Sequence, residues 1–590
     1  MAGTFDGIDL KTTAKDWLDH FVAALNSGDA KKAAALFLTE GYWRDLLSLS
    51  WNFRTLKGPE GVEQYLSQDA KIGGDAITNL ELQGEATTME LTKELTFIQA
   101  AFSFETPIAH GQGVVRLNQD PTTKQWLALT FYTGIEELKG YPEHVGPLRP
   151  KNTQAEREDR KTWKTHRAES VAYENRDPEV LIIGGGQSGL TAAARLGQLD
   201  IDTLIIERNP RIGDNWRNRY DFLTLHDPVW FDHLPYMPFP ETWPVFPSKD
   251  KLADWLELYA TAMELNVWTS SNVQGQPKYD ETKKTWTVTI ARSDGTTRTL
   301  HPTHLIIATS MPGEAYVPEF KGSDKFKGPI VHSTKFKSGG DHTQKKVLII
   351  GCGTSALDIA QDLYEHDAEV TIVQRSTTTV VSSAAILNIV MRGMYDGTGP
   401  PTDVADLFNF SLPFPVSKKV HSIVAPIARQ HDAALLEGLE KAGFALDEGP
   451  DGAGLLPKYV TRGGGYYIDV GGANLIVEGK VKVKQGKEVD YFEEDGVVFE
   501  DGSKLEADVI VLATGYKGMK STVANLLGEE VASRTPPIWD VNKEGETNGL
   551  WKSTGYPHLW FHAGNLSFCR FYSKRLALQI KAQQVGIWKV

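Results

Sequence analysis

The chain has 590 residues, of which 41% are apolar and 23% are charged, and its formal net charge is −14. This length predicts two to four domains, because a single hydrophobic core stops growing near ~250–300 residues. The acidic balance argues against a nucleic-acid partner, which usually requires a basic surface. With only two cysteines, Cys352 and Cys569, the sequence supplies neither a disulfide framework nor a thiolate zinc site. We expect a globular protein of a reducing compartment.

The sequence shows no targeting or membrane signal. Its N-terminus lacks a basic region followed by an apolar core, and no window approaches the ~18 apolar residues that span a bilayer. The final residues, "QQVGIWKV", carry no hydrophobic anchor. We therefore expect a cytoplasmic protein without membrane attachment.

Residues 1–145 have the pattern of a small α+β domain. Apolar residues recur at helical spacing over 13–38, with a break at 26–29 that predicts a helix pair. Extended runs joined by polar turns follow, as in "TKELTFIQAAFSFET" and "KQWLALTFYTGIEEL". Residues 146–176 are charged and nearly free of apolar periodicity, which predicts a linker.

From residue 177 onward, strand and helix patterns alternate, which predicts parallel sheets covered by helices. Two stretches repeat one pattern 167 positions apart (347 − 180): "VLIIGGGQSGLTAAARL" at 180–196 and "VLIIGCGTSALDIAQDL" at 347–363. Each has a hydrophobic strand, a glycine turn and a small-residue helix. The predicted fold class is α/β, with two dinucleotide-binding, Rossmann-like domains and the α+β domain in front of them.

The first copy satisfies the G-x-G-x-x-G fingerprint with Gly184, Gly186 and Gly189. These glycines permit the tight turn, the approach of a pyrophosphate and the close packing of helix on strand. A second strand ends in Glu207, 23 residues after Gly184 (207 − 184), where a carboxylate can bind a ribose. An ordinary glycine-rich turn is the alternative. The residues predicted to contact this dinucleotide are Gly184, Gly186, Gln187, Ser188, Gly189, Glu207 and Arg208.

The second copy has alanine at the third glycine position, which the fingerprint allows. The position 23 residues after Gly351 holds Gln374, followed by Arg375 and Ser376. A missing acid beside a guanidinium and a hydroxyl suits a ribose that carries a 2′-phosphate, although Arg375 could also be a solvated strand-end arginine. The residues predicted to contact NADP(H) are Gly351, Gly353, Thr354, Ser355, Ala356, Arg375 and Ser376.

Two dinucleotides in one chain indicate a redox pair, FAD and NADPH, whose cradles must open onto one cleft for hydride transfer. A reduced flavin can pass electrons to a protein disulfide or to dioxygen. The two cysteines lie 217 residues apart (569 − 352), and one of them is inside the second fingerprint. This spacing argues against a redox disulfide.

Residues 326–337, "FKGPIVHSTKFK", fit the F-x-G-x-x-x-H-x-x-x-[FY]-[KR] signature of flavin-containing monooxygenases. From about residue 176 to 590 the chain resembles this family of class B flavoprotein monooxygenases, including its plant YUCCA-like branch. "GDNWRNRY" at 213–220, "YYIDVG" at 466–471 and "VLATGY" at 511–516 are also similar to family segments, the last to the strand that returns to the FAD domain. Phe336 stands where the Baeyer–Villiger signature has tryptophan, and Ala308-Thr309-Ser310 matches the earlier A-T-G only in part. The resemblance adds Asn215, Trp216, Gly515 and Asn565 to the predicted cofactor contacts.

The resemblance implies a reaction in which NADPH reduces FAD, O2 adds at the flavin C4a atom and a small-molecule substrate takes one oxygen atom from the hydroperoxide. We prefer oxygenation of nitrogen or sulfur. The alternatives are Baeyer–Villiger oxidation or oxidative decarboxylation of a ketone or 2-oxo acid, and a weak NADPH oxidase whose N-terminal domain is a binding or assembly module. The predicted domains are 1–145, the linker 146–176, FAD-binding 177–340 and 501–590, and NADP-binding 341–500.

Three residues are predicted to act in catalysis. His332, inside the signature, is expected on the NADP side at the domain pivot, and a hydrogen-bonded loop histidine is the alternative. His226 and Asp227 are hypothesised to lie at the flavin edge and to hydrogen-bond the oxygenated flavin. Asp227 could instead cap the turn before Pro228 while His226 packs. No metal site is predicted, because thiolate ligands are missing.

The N-terminal domain resembles the NTF2-like, SnoaL-like cone fold. Trp43, Arg44 and Asp45 are candidates to line such a cone. We favour a non-catalytic role in homodimer formation or in covering the active site, because the domain carries no cofactor fingerprint.

Overall fold

The structure is a computed structural model, and it describes residues 5–92, 95–151 and 160–589. Residues 152–159 of the predicted linker lie outside the described residues. The fold is mixed α/β and contains separate parallel and antiparallel sheets.

The N-terminal part packs helices on one face of a mostly antiparallel sheet. Its strands pair in the order β2-β1-β6-β5-β4-β3, and the β1–β6 pair is parallel. The predicted helix pair is confirmed, with its break at 27–29. The elements are α1 (Leu10–Asn26), α2 (Ala30–Ala34), β1 (Phe37–Leu46), β2 (Phe53–Lys57), α3 (Gly58–Gln68), β3 (Thr78–Glu90), β4 (Thr96–Glu105), β5 (Ala109–Gln119) and β6 (Trp126–Leu138).

Both faces of this sheet are largely buried except at the edge strand β3. Successive side chains of a strand point to opposite faces, so Trp43 joins the core under the helices while Leu46 joins the core shared with the rest of the chain. The helix side is filled by stacked and edge-on aromatic rings, including Phe21 and Phe131 at 4.7 Å between centroids. Aromatic side chains therefore fill the space where a cone-shaped domain could hold a ligand.

The chain from residue 160 to 307 contains the first repeat. The elements are α4 (Trp163–Ala172), β7 (Val180–Ile183), α5 (Gln187–Gln198), β8 (Thr203–Ile206), α6 (Asp214–Arg217), α7 (Lys249–Ala262), β9 (Asn266–Trp268), β10 (Asn272–Asp280), β11 (Thr285–Ala291), β12 (Thr297–Leu300) and β13 (His304–Ile307).

The remaining chain contains the second repeat and the closing helix. Its elements up to residue 477 are β14 (Ile330–His332), β15 (Lys346–Ile350), α8 (Thr354–Glu365), β16 (Glu369–Gln374), β17 (Thr379–Ser382), α9 (Ser383–Ala385), α10 (Thr402–Phe410), α11 (Phe414–His431), α12 (Ala433–Lys441), α13 (Leu455–Arg462), β18 (Tyr466–Asp469) and α14 (Gly472–Val477). Those that follow are β19 (Val481–Gln485), β20 (Val489–Glu493), β21 (Gly496–Phe499), β22 (Lys504–Glu506), β23 (Val509–Leu512), α15 (Met519–Leu527), α16 (Glu529–Ser533), β24 (Leu559–Phe561) and α17 (Leu566–Gln584). Short 3₁₀ turns lie at Gly146–Leu148, Gly339–His342 and Pro450–Gly452, and a π-helix lies at Ile386–Val390.

The two repeats build two parallel sheets of the same plan. The first has the strand order β24-β13-β7-β8-β9 and the second the order β14-β23-β15-β16-β19. In each, a three-stranded antiparallel insertion (β10-β11-β12 or β20-β21-β22) precedes the next parallel strand. The duplicated sequence pattern therefore corresponds to a duplicated βαβ architecture.

The sheet pairing differs from the predicted division at residues 340 and 501. Strand β14 pairs with β23, Ile330 opposite Ile510, and β23 pairs with β15, so both belong to the second sheet. The "VLATGY" strand thus does not return to the first sheet, which β24 completes. The physical reason is that β23 is buried along its whole length, as a strand with a parallel neighbour on each side must be.

Candidate functional site

The first glycine turn joins β7 to α5 under steric constraints that only glycine meets. Gly184 has φ +111, and a Cβ there would lie 2.4 Å from the Ala308 carbonyl oxygen. A Cβ on Gly189 would lie 2.0 Å from the Gly184 oxygen, so this glycine allows the helix to pack on the strand. At Gly186 the nearest atom is Asn215 Nδ2, at 3.2 Å, which places Asn215 beside the turn.

Glu207 lies at the end of β8, next to this turn. Its carboxylate accepts hydrogen bonds from the backbone N–H groups of Gly185, at 2.8 Å, and Asn209, at 2.7 Å. Each oxygen keeps capacity for a second donor, so the buried carboxylate can also accept from a ribose hydroxyl. Arg208 is exposed. The Ser188 hydroxyl is buried, 3.2 Å from Cys569 Sγ, so only the Ser188 backbone is available to a nucleotide.

The second turn joins β15 to α8 in the same way. Gly351 has φ +130, and a Cβ there would lie 2.2 Å from the Ala513 oxygen. Around Gly353 the nearest atom to a Cβ is the Tyr466 oxygen, at 3.8 Å, so the space above this glycine is open. The Thr354 hydroxyl donates to that same oxygen, and Ala356 packs in the core.

The helices that follow the two turns fit phosphate groups. Within the described chain, α5 and α8 begin at Gly186 and Gly353 without a side-chain cap. Some helices have a side-chain cap, as α1 has in Asp9 and α17 in Asn565, and others, such as α3 and α10, lack one as α5 and α8 do. An uncapped N-terminus leaves backbone N–H donors and the positive end of the helix dipole for an anion.

In the second repeat, Gln374 stands at the position that matches Glu207 of the first repeat. Gln374 is buried, and its side-chain amide exchanges hydrogen bonds with the Ala445 backbone at 2.8 and 2.7 Å. The Arg375 side chain is 72% exposed, and its nearest acid, Glu488, is 4.0 Å away. Ser376 is exposed as well. This end of β16 therefore offers a cation and a hydroxyl where the first repeat offers a carboxylate.

One cavity of about 320 Å³ lies between the two turns. The cavity is lined by Gln187 of the first turn and by Thr354 and Ser355 of the second. Both turns therefore open onto one cleft, as the sequence predicts. Trp216 Nε1 donates to Gln187 Oε1 at 3.3 Å, which positions the indole at the first turn. The other lining residues are Arg219, Tyr220, Leu223, Thr224, Leu225, His226, Asp227, Asp232, Pro312, Leu455, Leu456, Tyr459, Tyr466, Ile468, Tyr516, Asn565 and Leu566.

His226 lines the cavity and contacts an aspartate of the other parallel-sheet unit. His226 Nε2 lies 3.5 Å from Oδ2 of Asp358, on α8, and the Tyr220 hydroxyl donates to the same oxygen at 2.7 Å. Burial and the Asp358 charge raise the pKa of Tyr220, which keeps it a donor. The contact ties the loop after α6 to the helix of the second turn. Sequence analysis missed Tyr220 and Asp358; the available signal was an aspartate amid the apolar residues of α8.

Asp227 and Asp232 also face the cavity. Burial raises the pKa of Asp227 to about 6, although His226 and the Asn565 side chain lower it in part. Asp232 is 2% exposed, and burial together with the Asp227 charge raises its pKa well above the usual range. Asn565 caps α17 through Oδ1, and its backbone N–H donates to the Tyr459 hydroxyl oxygen at 3.2 Å. Asp232 was not selected from the sequence.

His332 is not brought to this cavity. Its Nδ1 accepts from the Thr334 N–H at 3.2 Å, so Nε2 carries the proton and donates to the Gly515 oxygen at 3.2 Å. Burial lowers the pKa of His332, so the ring is neutral near pH 7. His332 and Gly515 therefore connect β14 to the segment after β23, and the predicted catalytic role of His332 stays a prediction.

The three candidates in the N-terminal domain do not share a pocket. Asp45 accepts from the Tyr65 hydroxyl at 2.6 Å and from Thr133 Oγ1 at 2.7 Å, and Trp43 Nε1 donates to the same threonine. Arg44 points to the opposite face and pairs with Glu546 at 2.7 Å. The alternation of side chains along β1 separates them, so the suggested ligand-lining role is wrong for this set.

Among the helices that the structure describes, none combines the length and the apolarity needed to cross a membrane. Likewise, the described side chains include no group of three or more His, Cys, Asp or Glu residues suited to a metal ion.

Residues 181–390 match the family model described as pyridine nucleotide-disulphide oxidoreductase. The chain is 32% identical over 342 residues to "Probable indole-3-pyruvate monooxygenase YUCCA8" of Arabidopsis thaliana, covering 57% of this chain and 74% of the relative. It is 32% identical over 348 residues to "Indole-3-pyruvate monooxygenase YUCCA1" of Oryza sativa subsp. japonica, covering 58% and 77%.

The fold is similar to that of solved monooxygenases. A cyclohexanone monooxygenase bound to epsilon-caprolactone aligns with TM-score 0.51 at 16% identity, covering 69% of this chain and 88% of that one. OTEMO, in complex with FAD and NADP, aligns with TM-score 0.51 at 17% identity, covering 70% and 86%. With two glycine turns on one cleft and monooxygenase relatives matched over about three quarters of their length, the chain belongs to the class B flavin-dependent monooxygenases.

Proposed function

We propose that the protein uses NADPH, FAD and O2 to transfer one oxygen atom to the nitrogen or sulfur of a small organic substrate. The observation that supports this most is the single cavity lined by both glycine turns. When bound, the flavin supplies the redox chemistry, accepting a hydride from NADPH and reacting with dioxygen in its reduced form.

The residues at the two turns fit the two cofactors. Gly184, Gly186 and Gly189, with Glu207 and Asn215 beside them, would hold FAD. Gly351, Gly353 and the N-terminus of α8 would hold the NADPH pyrophosphate, while Arg375 and Ser376 would bind its 2′-phosphate. The uncapped N-termini and the open space at Gly353 support this assignment.

The task of the protein is to orient both cofactors and to exclude water. Trp216, Tyr459 and Tyr466 contribute aromatic side chains to the cavity wall, and the Tyr220–Asp358 hydrogen bond connects the two dinucleotide-binding units. A dry, fixed site favours transfer of oxygen to substrate over its release as hydrogen peroxide.

The charges in the cavity bear on the substrate. Asp227 and Asp232 would attract a cationic nitrogen or sulfur compound, whereas Arg219, which lines the same cavity, would attract an anion. Oxidative decarboxylation of a 2-oxo acid is the second candidate, because the matched relatives are named indole-3-pyruvate monooxygenases.

We assign the N-terminal domain, which we propose to be NTF2-like, an accessory role within its own chain. Arg44 and Arg116 donate to the carbonyl oxygens of Phe410 and Phe408 in α10. Phe410 in turn stacks on Phe571 of α17, at 4.3 Å between centroids. Because this sheet face is occupied by the rest of the chain, it is not free for the homodimer that we expected from the sequence.

Product and hydrogen peroxide measured per NADPH oxidised test the function. We expect a nitrogen or sulfur substrate to receive oxygen, with little peroxide. His226→Ala should raise the peroxide fraction, because it loosens the contact with Asp358. His301→Ala, at an exposed histidine, is the matched control. Release of all electrons as peroxide with every amine and sulfide tested would instead support the weak-oxidase alternative.

A further inference from the structure

We propose that Asp227 and Asp232 form a carboxyl pair that holds one proton between them and supplies it to the cavity during turnover. The inference rests on the proposed monooxygenase function and assigns it the source of a proton. Neither the glycine fingerprints nor the family signature includes these two residues.

The pair is defined by its position. Both carboxyl groups lie on the segment after α6, line the same cavity and interact electrostatically with each other. Asp227 has the Asn565 amide beside it. The hydrogen bonds found among the described residues include none to the carboxyl group of Asp232, which is 2% exposed. A buried, ionised carboxyl without a donor is costly, so this site favours a shared proton.

Burial raises the pKa of Asp232 and the Arg570 charge lowers it in part, but Arg570 does not hydrogen-bond to this carboxyl group. Arg570 donates Nε–H and one Nη2–H to Asp406, both at 2.7 Å. Its Nη1 donates to the Phe231 and His233 oxygens, and the remaining Nη2–H points to Ser567 Oγ. All five N–H groups of the guanidinium are thereby engaged, so none is left for Asp232.

The other titratable groups around the pair come from several elements. His226 precedes Asp227 and contacts Asp358 of α8, while Tyr459 of α13 and Tyr466 of β18 both experience the Asp227 charge. Burial raises the pKa values of both tyrosines, so they stay neutral. Burial lowers the pKa of the neighbouring His233 to about 4. The carboxyl pair is therefore one group of this wall that can exchange a proton, and the His226 imidazole and the Arg219 guanidinium line the same cavity.

The proposed reaction consumes one proton per turnover. NADPH, H⁺, O2 and substrate yield NADP⁺, water and oxygenated substrate. One oxygen atom bonds to the substrate, the O–O bond breaks, and the other atom leaves as water, while NADPH is oxidised by two electrons. The pair gives its proton to the departing oxygen and regains one from solvent before the next turnover.

Infrared spectroscopy of the protein without NADPH tests the pair independently of turnover. We expect the C=O band of a buried protonated carboxyl at neutral pH. Asp232→Asn should remove the band, because burial raises the pKa of the remaining Asp227 only to about 6 and this carboxyl is ionised above that pH. Asp227→Asn should shift the band without removing it, because burial still raises the pKa of Asp232 when its charged neighbour is gone. Asp221→Asn, at an aspartate of the same segment that is 71% exposed, should leave it unchanged. The absence of the band in the unaltered protein overturns the proposal.

Turnover provides the second readout. Asp232→Asn should reduce product formation at neutral pH by about 100-fold, whereas anaerobic reduction of the flavin by NADPH should proceed at the unaltered rate. In the unaltered protein product formation should fall as rising pH removes the proton, and in the variant this dependence should be lost. If Asp232→Asn does not fold, Asp227→Asn provides the same comparison.

Different results would overturn the carboxyl pair and the proposed monooxygenase function. Unchanged product formation and pH dependence in the variants would overturn the carboxyl pair alone. A flavin that NADPH does not reduce in the unaltered protein would overturn the proposed function, while the infrared band would still report on the pair.

Discussion

At the scale of single residues, the ends of β8 and β16 distinguish the two nucleotides. Glu207 is fixed by two backbone N–H groups and can accept from a ribose hydroxyl. Gln374 at the matching position is bound to the Ala445 backbone, which leaves the exposed Arg375 as the recognition group. A guanidinium on a 2′-phosphate forms charge-assisted hydrogen bonds, which are worth about 1.5–3 kcal/mol each.

Replacing Arg375 should therefore change the choice between nicotinamide cofactors. Arg375→Ala should raise the KM for NADPH by about 10-fold, since 1.4 kcal/mol corresponds to a factor of ten. The KM for NADH should stay unchanged, because NADH has no 2′-phosphate. Steady-state kinetics with both cofactors checks this, and an equal change in both values would contradict the assignment.

At the scale of elements, the two glycines of the second strand–turn–helix unit serve different purposes. A Cβ at Gly351 would meet the Ala513 backbone at 2.2 Å, and its φ of +130° is unfavourable for other residues. At Gly353 a Cβ would find no atom nearer than 3.8 Å, on the side where a pyrophosphate must approach. The first glycine serves the fold, and the second serves the ligand.

These glycines give a matched pair of variants. Gly353→Ala should leave the free energy of unfolding nearly unchanged but weaken NADPH binding. Gly351→Ala should lower that free energy by about 2 kcal/mol or more, through strain and overpacking. Urea denaturation and titration with NADPH separate the two effects. A destabilised Gly353→Ala protein with normal NADPH binding would contradict this division of roles.

Both glycine turns could be predicted because strand, turn and helix are adjacent in sequence. The pairing of β14 with β23 could not, because Ile330 and Ile510 are 180 residues apart (510 − 330) and a short apolar strand does not specify its sheet. The contact of His226 with Asp358 was missed for the same reason. The sequence indicated the cavity and one wall, whereas the tertiary pairing of its charges required the structure.

At the scale of the whole molecule, the N-terminal domain is joined to the rest of the chain by buried charges. Arg44 forms two hydrogen bonds to Glu546, both at 2.7 Å, and Thr55 Oγ1 donates to the same carboxylate at 2.6 Å. Arg575 and Lys574 of α17 both contact Glu136 of β6. Because Asn565, which caps α17, and Leu566, which begins it, both line the cavity, this interface supports the helix that helps to form the site.

Breaking the central pair should destabilise the protein strongly. Arg44→Ala leaves the buried Glu546 without its cation, which costs about 3–5 kcal/mol when one partner of a buried pair is removed. A large fall in the urea midpoint is therefore expected. Lys15→Ala, in an exposed helical pair with Asp19, should cost only about 0.3–0.5 kcal/mol. Equal midpoints for the two variants would show that the interface does not depend on Arg44.

The proposed monooxygenase function requires that FAD and NADPH meet in one cleft. The most direct measurement is the visible absorption of the FAD-loaded protein mixed with NADPH in the absence of oxygen. We predict that the protein binds FAD and that NADPH bleaches the flavin band, while Gly353→Ala requires more NADPH for the same bleaching. A protein that takes up no FAD, or whose bound flavin keeps its absorption after NADPH is added, would contradict the account.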